Sequence, residues 1–252
     1  MTIAAVLDAE RIKLSTTKSP LWSAAAVAVF SLGVAAVQGS TAYGGASLPP
    51  EKAAMGVAVF GVPVLMVLAS MTVTGEYRSG MIRTTFMATP NRTLVLVAKA
   101  IVAAVFSGAY AAVMVIASIA VARFTAAPLV SSQLSLANAA SWRPVWAIGL
   151  YAALAAVLAV GVGALLRYAA GAVAVLLLWP LVAEPVLANL PNIGPDAGPY
   201  LPFGNMFVFT GVPWLYPYFD MPWGQLGSLA YFTAVVAVVF VAAIVVLNRR
   251  DA

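Results

Sequence analysis

The stretch "AALAAVLAVGVGALL", residues 152–166, consists entirely of alanine, leucine, valine and glycine and carries no charged or amide side chain. A helix that crosses a bilayer needs ~20 mainly apolar residues. Extended back to residue 144, this run meets that length. Five more segments of the same kind lie along the chain, at 20–37, 55–74, 98–122, 172–188 and 226–247. The expected fold class is therefore an all-α membrane protein with six transmembrane helices in one domain, residues 1–252. The fifth segment is short and runs into the Pro185 region, so its far boundary is the least defined by hydropathy.

Composition points the same way. Hydrophobic residues form 63% of the 252, charged residues 8%, and mean hydropathy is +1.00. A soluble domain is roughly 45–50% apolar and about 25% charged, so water is a poor solvent for this chain. The small residues in the spans allow two readings: close helix packing, or a general alanine bias. Cysteine and histidine are both absent, which removes thiolate chemistry, the commonest general base and the commonest transition-metal ligands.

Lys and Arg set the orientation. With the N-terminus inside, Arg11, Lys13, Lys18, Arg78, Arg83, Arg92, Lys99, Arg167, Arg249 and Arg250 fall on the cytoplasmic side. Lys52, Arg123 and Arg143 fall outside. Ten against three predicts cytoplasmic termini in a multi-pass protein of the inner membrane. The first span is too long and too far from the start for a cleavable signal peptide.

Residues 1–19 read as an interfacial helix with Ile3, Val6, Leu7 and Leu14 on one face and Asp8, Arg11 and Lys13 turned elsewhere. Glu10 falls within the apolar stripe, so it requires a partner, either Lys13 or a basic residue from another segment. On the outer side, 38–54 is a Gly- and Pro-rich loop. Residues 123–143 form a connector ending in the interfacial anchor pair Trp142 and Arg143. Residues 189–225 hold nine aromatics: Tyr200, Phe203, Phe207, Phe209, Trp214, Tyr216, Tyr218, Phe219 and Trp223. Prolines cut this segment into pieces too short to span, so it is expected to dip into or lie on the outer leaflet.

No phosphate-binding loop, Gly-Lys dipeptide, G-x-S-x-G or H-E-x-x-H motif occurs. An enzyme or a nucleotide-binding chain is not expected, nor is a nucleic-acid partner. The most charged stretch is "TGEYRSGMIRTTFMATPNRTLVLVAK", residues 74–99. Its proline-free half, 75–88, is predicted to form a short helix that Thr89-Pro90-Asn91 terminates. Tyr77, Met81, Thr84 or Thr85, and Ala88 would line one side, with Glu76 and Arg83 on a common face. The helix reads either as a docking knob for a soluble partner or as a positive-inside loop that fixes topology.

"ERIKLSTTKSPLW" (10–22), "GEYRSGMIRTTFMATPNR" (75–92) and "LLRYAAGA" (165–172) together resemble ABC transporter permeases of the type-2 exporter class, in their actinobacterial form. The resemblance covers nearly the whole chain, and the middle motif is its most specific part. It implies six spans, an interfacial N-terminal helix, a coupling-helix loop over 75–93 and a re-entrant segment before span six. It assigns Gly75, Glu76, Tyr77, Arg78, Gly80, Met81 and Arg83 to contact with a separate ATPase subunit, with Glu10 and Lys13 as interfacial-helix contacts. It also implies two copies of that ATP-binding cassette subunit, which would hold ATP and Mg, and a second permease chain, identical or homologous, meeting this one at spans two and five. Glu184, Phe203, Phe207 and Phe209 are then candidates for the substrate path or gate. Glu184 could cap the re-entrant segment, pair with Arg143 or Arg123, or touch substrate. The low charge of the walls favours an amphipathic or lipid-like cargo. Two other readings remain open: an ion-coupled secondary transporter, which would need buried ionisable groups and an internal repeat, or a non-transporting anchor or immunity protein.

Overall fold

The computed structural model describes residues 2–42, 47–213, 216–217 and 221–249. Trp214, Tyr218, Phe219, Arg250 and residues 43–46 of the first outer loop lie outside the described residues. The described chain is all-α, without strands, and six of its helices are long and apolar enough to cross a membrane. They are span one (Ser19–Ser40), span two (Val57–Ser79), span three (Arg92–Thr125), span four (Ala139–Leu166), span five (Ala169–Asn189) and span six (Gly224–Arg249). An N-terminal helix, Ile3–Thr16, lies against span three.

Every span is longer than its apolar core. Span three is the extreme, with 34 residues. At 1.5 Å per residue it is about 51 Å long, against a hydrocarbon core of about 30 Å. Its first turns therefore extend beyond the apolar slab.

Spans two and four are the most buried and form the middle of the bundle, with spans one, five and six around them. The small residues have a geometric use here. A Cβ placed on Gly108 of span three would sit 3.0 Å from the Gly149 carbonyl of span four, and one on Gly149 would sit 3.2 Å from the Gly108 carbonyl. A Cβ on Gly163 of span four would likewise meet the Ser70 carbonyl of span two at 3.0 Å. At these crossings backbone touches backbone, as small-residue packing in a bilayer requires.

Two prolines that hydropathy alone could not interpret are absorbed inside spans by the same device. In span five a π-helical turn, Trp179–Ala183, precedes Pro185, and the Glu184 N–H bonds the Trp179 carbonyl five residues back. In span two a π-helical turn, Val57–Gly61, precedes Pro63, and the Val62 N–H bonds the Val57 carbonyl. The widened turn carries the helix past a residue that has no N–H to offer. Span five thus continues to Asn189 rather than ending at its prolines.

Between spans five and six the chain forms short pieces, Gly194–Ala197, Gly198–Tyr200 and Pro202–Thr210. The last of these packs against spans four and six. Its Phe203 and Phe207 meet Tyr151 edge-on, and Phe203 also meets Phe232 of span six. Phe209 packs against Trp146.

Gly108→Leu forces spans three and four apart. A loss of about 1–3 kcal/mol is expected, read as earlier unfolding of the purified protein in mixed micelles, whereas Gly33→Leu, at a glycine with open space around it, leaves the midpoint near the wild-type value.

Candidate functional site

The site is built where four segments meet on the side of the bundle that carries the N-terminal helix. Residues 74–99 supply two of them, but not as one helix over 75–88. Span two continues through Gly75, Glu76, Tyr77 and Arg78 to Ser79. Gly80 then adopts φ +72°, a left-handed conformation that ends the helix, and its N–H bonds the Tyr77 carbonyl. This is a glycine helix stop. A separate short helix, Met81–Ala88, follows. Thr89-Pro90 ends it, and Asn91 caps span three, its side chain accepting from the Leu94 N–H at 3.0 Å.

The break divides the predicted contact residues into two sets. Arg78, Gly80, Met81 and Arg83 are exposed, as is Met87. Glu76 is buried and faces inward, so Glu76 and Arg83 do not share a face. Tyr77 is half-buried with the Arg167 guanidinium over its ring at 5.1 Å. Arg167 itself ends span four in a left-handed conformation, φ 56°. The same side is tied to the chain's end: Arg92 donates to the Leu247 carbonyl at 3.1 Å, and the Asn248 amide donates to Thr93 at 3.0 Å.

Glu76 belongs to a closed ring of four charges. Lys13 Nζ lies 2.8 Å from both Glu10 Oε1 and Glu76 Oε1. Lys99 Nζ lies 2.7 Å from Glu10 Oε2 and 2.7 Å from Glu76 Oε1. Lys99 also donates to the Thr72 carbonyl at 3.1 Å, and Thr85 Oγ1 donates to Glu76 Oε2 at 3.3 Å. The ring thereby joins the N-terminal helix, the end of span two, the short helix and the start of span three. Glu10 receives both of the partners considered for it, Lys13 and a base from another segment. Lys13 turns inward rather than away from Glu10. Lys99, counted by sequence as a topology charge, is instead buried in the ring, with only 2% of its side chain accessible.

Burial alone would lower the Lys13 pKa, but hydrogen bonds and charge from Glu10 and Glu76 outweigh it and raise the group above its ordinary 10.5. The stability this adds is fully present at neutral pH. It is lost only as pH climbs through the raised folded-state value.

A cavity of about 390 Å³ opens beside the ring, bounded by the N-terminal helix, the start of span one, and spans two and three.

On the opposite end of span five, Glu184 is fully buried. It accepts from the Phe203 N–H at 3.2 Å, the Gly204 N–H at 3.0 Å, the Trp179 indole at 2.8 Å and the Tyr216 hydroxyl at 3.3 Å. Of the roles open to it, the structure shows the cap: its carboxylate sits on the N-terminus of Pro202–Thr210. Arg143 occupies the other end of that helix, donating to the Phe209 and Thr210 carbonyls at 2.8 and 3.2 Å and to Gln225 at 2.8 Å. Arg143 is therefore a helix cap, and among the described residues it does not pair with Glu184. Anion at the N-terminus and cation at the C-terminus both complement the helix dipole. Phe203, Phe207 and Phe209 are buried in the packing around Tyr151 and Trp146, away from the cavity beside the ring.

The described residues hold no cluster of acidic side chains able to bind a metal ion. No protein-family model matches the chain, and no curated protein matches it.

Lys99→Met leaves two buried carboxylates with one cation. The expected cost is about 3–5 kcal/mol, and adding Glu76→Gln to it restores part of that loss, a non-additivity that a double-mutant unfolding cycle measures. Glu184→Ala strips the acceptor from two backbone N–H groups and an indole. It is expected to cost about 2–3 kcal/mol and to expose the Pro202–Thr210 segment to protease, while Glu184→Gln, which keeps one of the two acceptor oxygens, loses less.

Proposed function

We propose that the chain is the membrane-spanning permease subunit of an ATP-driven exporter of the ABC type, working with a separate ATPase subunit. The observation that carries this reading is the short helix Met81–Ala88. It presents Met81, Arg83 and Met87 outward and is anchored at its root by the ring of charges. A helix that served only to fix topology would not need a rigid tie to the N-terminal helix and two spans at once. Exposed methionines beside an arginine suit an adaptable protein contact.

On this reading, closure of two ATPase subunits around ATP and Mg pushes on Met81–Ala88. The ring passes that push to the N-terminal helix and to spans two and three. A second permease chain completes the assembly. Span five keeps a broad apolar face exposed, including Val182 and Val186, whereas span two is largely enclosed within its own chain; span five is therefore the larger part of the proposed interface between permeases. Cargo is amphipathic or lipid-like, since the walls carry little charge. The chain is placed in the cytoplasmic membrane with both ends in the cytoplasm, an assignment supported by the Lys and Arg bias even when buried Lys99 is set aside, nine against three. Glu184, with four hydrogen bonds, is spoken for as a cap, which weakens the ion-coupled alternative.

Arg83→Glu with Met87→Asp alters only exposed side chains. It is expected to abolish co-purification with the proposed ATP-binding cassette subunit and to remove stimulation of its ATP hydrolysis, without lowering the unfolding midpoint. Wild-type complex formation by this double variant would sink the assignment of Met81–Ala88 as the coupling contact.

A further inference from the structure

The cavity beside the charged ring is two-toned. Toward the N-terminal side it is bordered by Lys13 and Arg78, and deeper in by Leu68, Met71 and Val102. Its ionisable residues are Glu10 and Glu76 against Lys13, Lys99 and Arg78, two negative and three positive. Four of these five neutralise one another within the ring. The fifth, Arg78, is exposed and forms no ion pair among the described residues. The surplus of one positive charge therefore resides on a guanidinium, whose planar fork of donors matches the oxygens of a phosphate.

Depth and volume narrow the occupant further. Along span two the wall runs from Ser79 to Leu68. With the apolar run of this span ending at residue 74, Leu68 lies six rises, about 9 Å, inside it, against about 15 Å for half of a 30 Å hydrocarbon core. The cavity thus reaches from the polar end of span two into its apolar part. Its volume of about 390 Å³ lies at the lower end of the roughly 300–1,000 Å³ of small-molecule sites. It is too small for a whole two-chain lipid and takes at most part of one chain.

From these features we infer that the cavity is a binding site for an anionic phospholipid, its phosphate on Arg78 and part of one acyl chain along Leu68, Met71 and Val102. The second chain remains in the bilayer. Because the ring forms one wall, a lipid seated there touches the joint that holds the N-terminal helix to spans two and three. The inference does not depend on the exporter reading, and it can be tested on the chain without any ATPase.

The test uses the purified full-length chain in nanodiscs of phosphatidylcholine, with phosphatidylglycerol of the same acyl chains added. Lipid retained after detergent release is counted by native mass spectrometry. One phosphatidylglycerol per chain should be kept in about tenfold preference to phosphatidylcholine, the scale of a single charge-assisted contact. Arg78→Gln should bring that preference close to one. Val102→Phe, which fills the groove, should reduce retention of both lipids, with helicity measured to confirm the fold. Arg123→Gln, an exposed cation at the far end of span three, should change nothing. Equal retention of the two lipids by the wild type would overturn the proposal. So would a preference that survives Arg78→Gln, or binding of glycerol phosphate, which has no acyl chain, as tight as that of phosphatidylglycerol.

Discussion

Burying a charge in a bilayer protein is costly unless a partner of opposite sign comes with it. The ring of Glu10, Lys13, Glu76 and Lys99 meets that demand in closed form: each carboxylate touches two ammonium groups, and each ammonium touches two carboxylates. Its members are drawn from three helices, with Thr85 of a fourth attached by a hydrogen bond. Loss of span two or of span three would leave the ring with a surplus charge, and loss of the N-terminal helix would halve the contacts of the remaining Glu76–Lys99 pair. The N-terminal helix, short and only partly apolar, is thereby held against span three by electrostatics as much as by the burial of Val6. Gly80 serves the same end. It stops span two just beyond Glu76 and lets the chain reverse, so that Thr85 reaches the carboxylate it would have missed on a continuous helix.

The other end of span five solves a similar problem with one carboxylate and no cation beside it. Glu184 has its acceptors satisfied by hydrogen bonds from two backbone N–H groups, an indole and a phenol. The π-helical turn has a part in this. With the Glu184 N–H taken by Trp179 and no N–H on Pro185, the Pro180 carbonyl lacks its usual intrahelical donors, and the Tyr216 hydroxyl approaches it at 3.4 Å. The same hydroxyl also lies within reach of Glu184, so its single proton is shared between the widened turn and the cap. Arg143 then closes the far end of Pro202–Thr210. A nine-residue helix in apolar surroundings has too many unpaired backbone groups to stand alone. Two charges from different spans make it part of the bundle.

Hydropathy was sufficient for the span count because a ~20-residue apolar run is a property of local sequence. The need of Glu10 for a partner was equally legible, since a carboxylate in an apolar stripe has few options. The identity of the second partner was not. Lys99 lies 89 positions from Glu10, and nothing local distinguishes it from a loop charge that sets topology. The end of span two could have been placed better. Glycine followed by Met-Ile at 80–82 is a recognisable helix stop, but a proline-free window invited one helix across it. The capping role of Arg143 was hidden for a related reason. Next to Trp142 it has the composition of an interfacial anchor, and only the fold brings the Phe209 and Thr210 carbonyls to it.

These two charged assemblies differ in what they permit. At Glu184 every acceptor is engaged by groups that the fold holds in place, and the surrounding aromatic rings are buried against one another. That end is suited to rigidity. The ring of four is bordered on one side by a cavity, and Lys13 remains partly accessible there, with 36% of its side chain exposed. Its charges can therefore exchange partners with a molecule that enters, at a smaller desolvation cost than a sealed pair would face. On the proposed exporter reading, the joint between the surface helix and two spans falls on the open assembly and not on the closed one. The short helix and the N-terminal helix both attach to the open assembly.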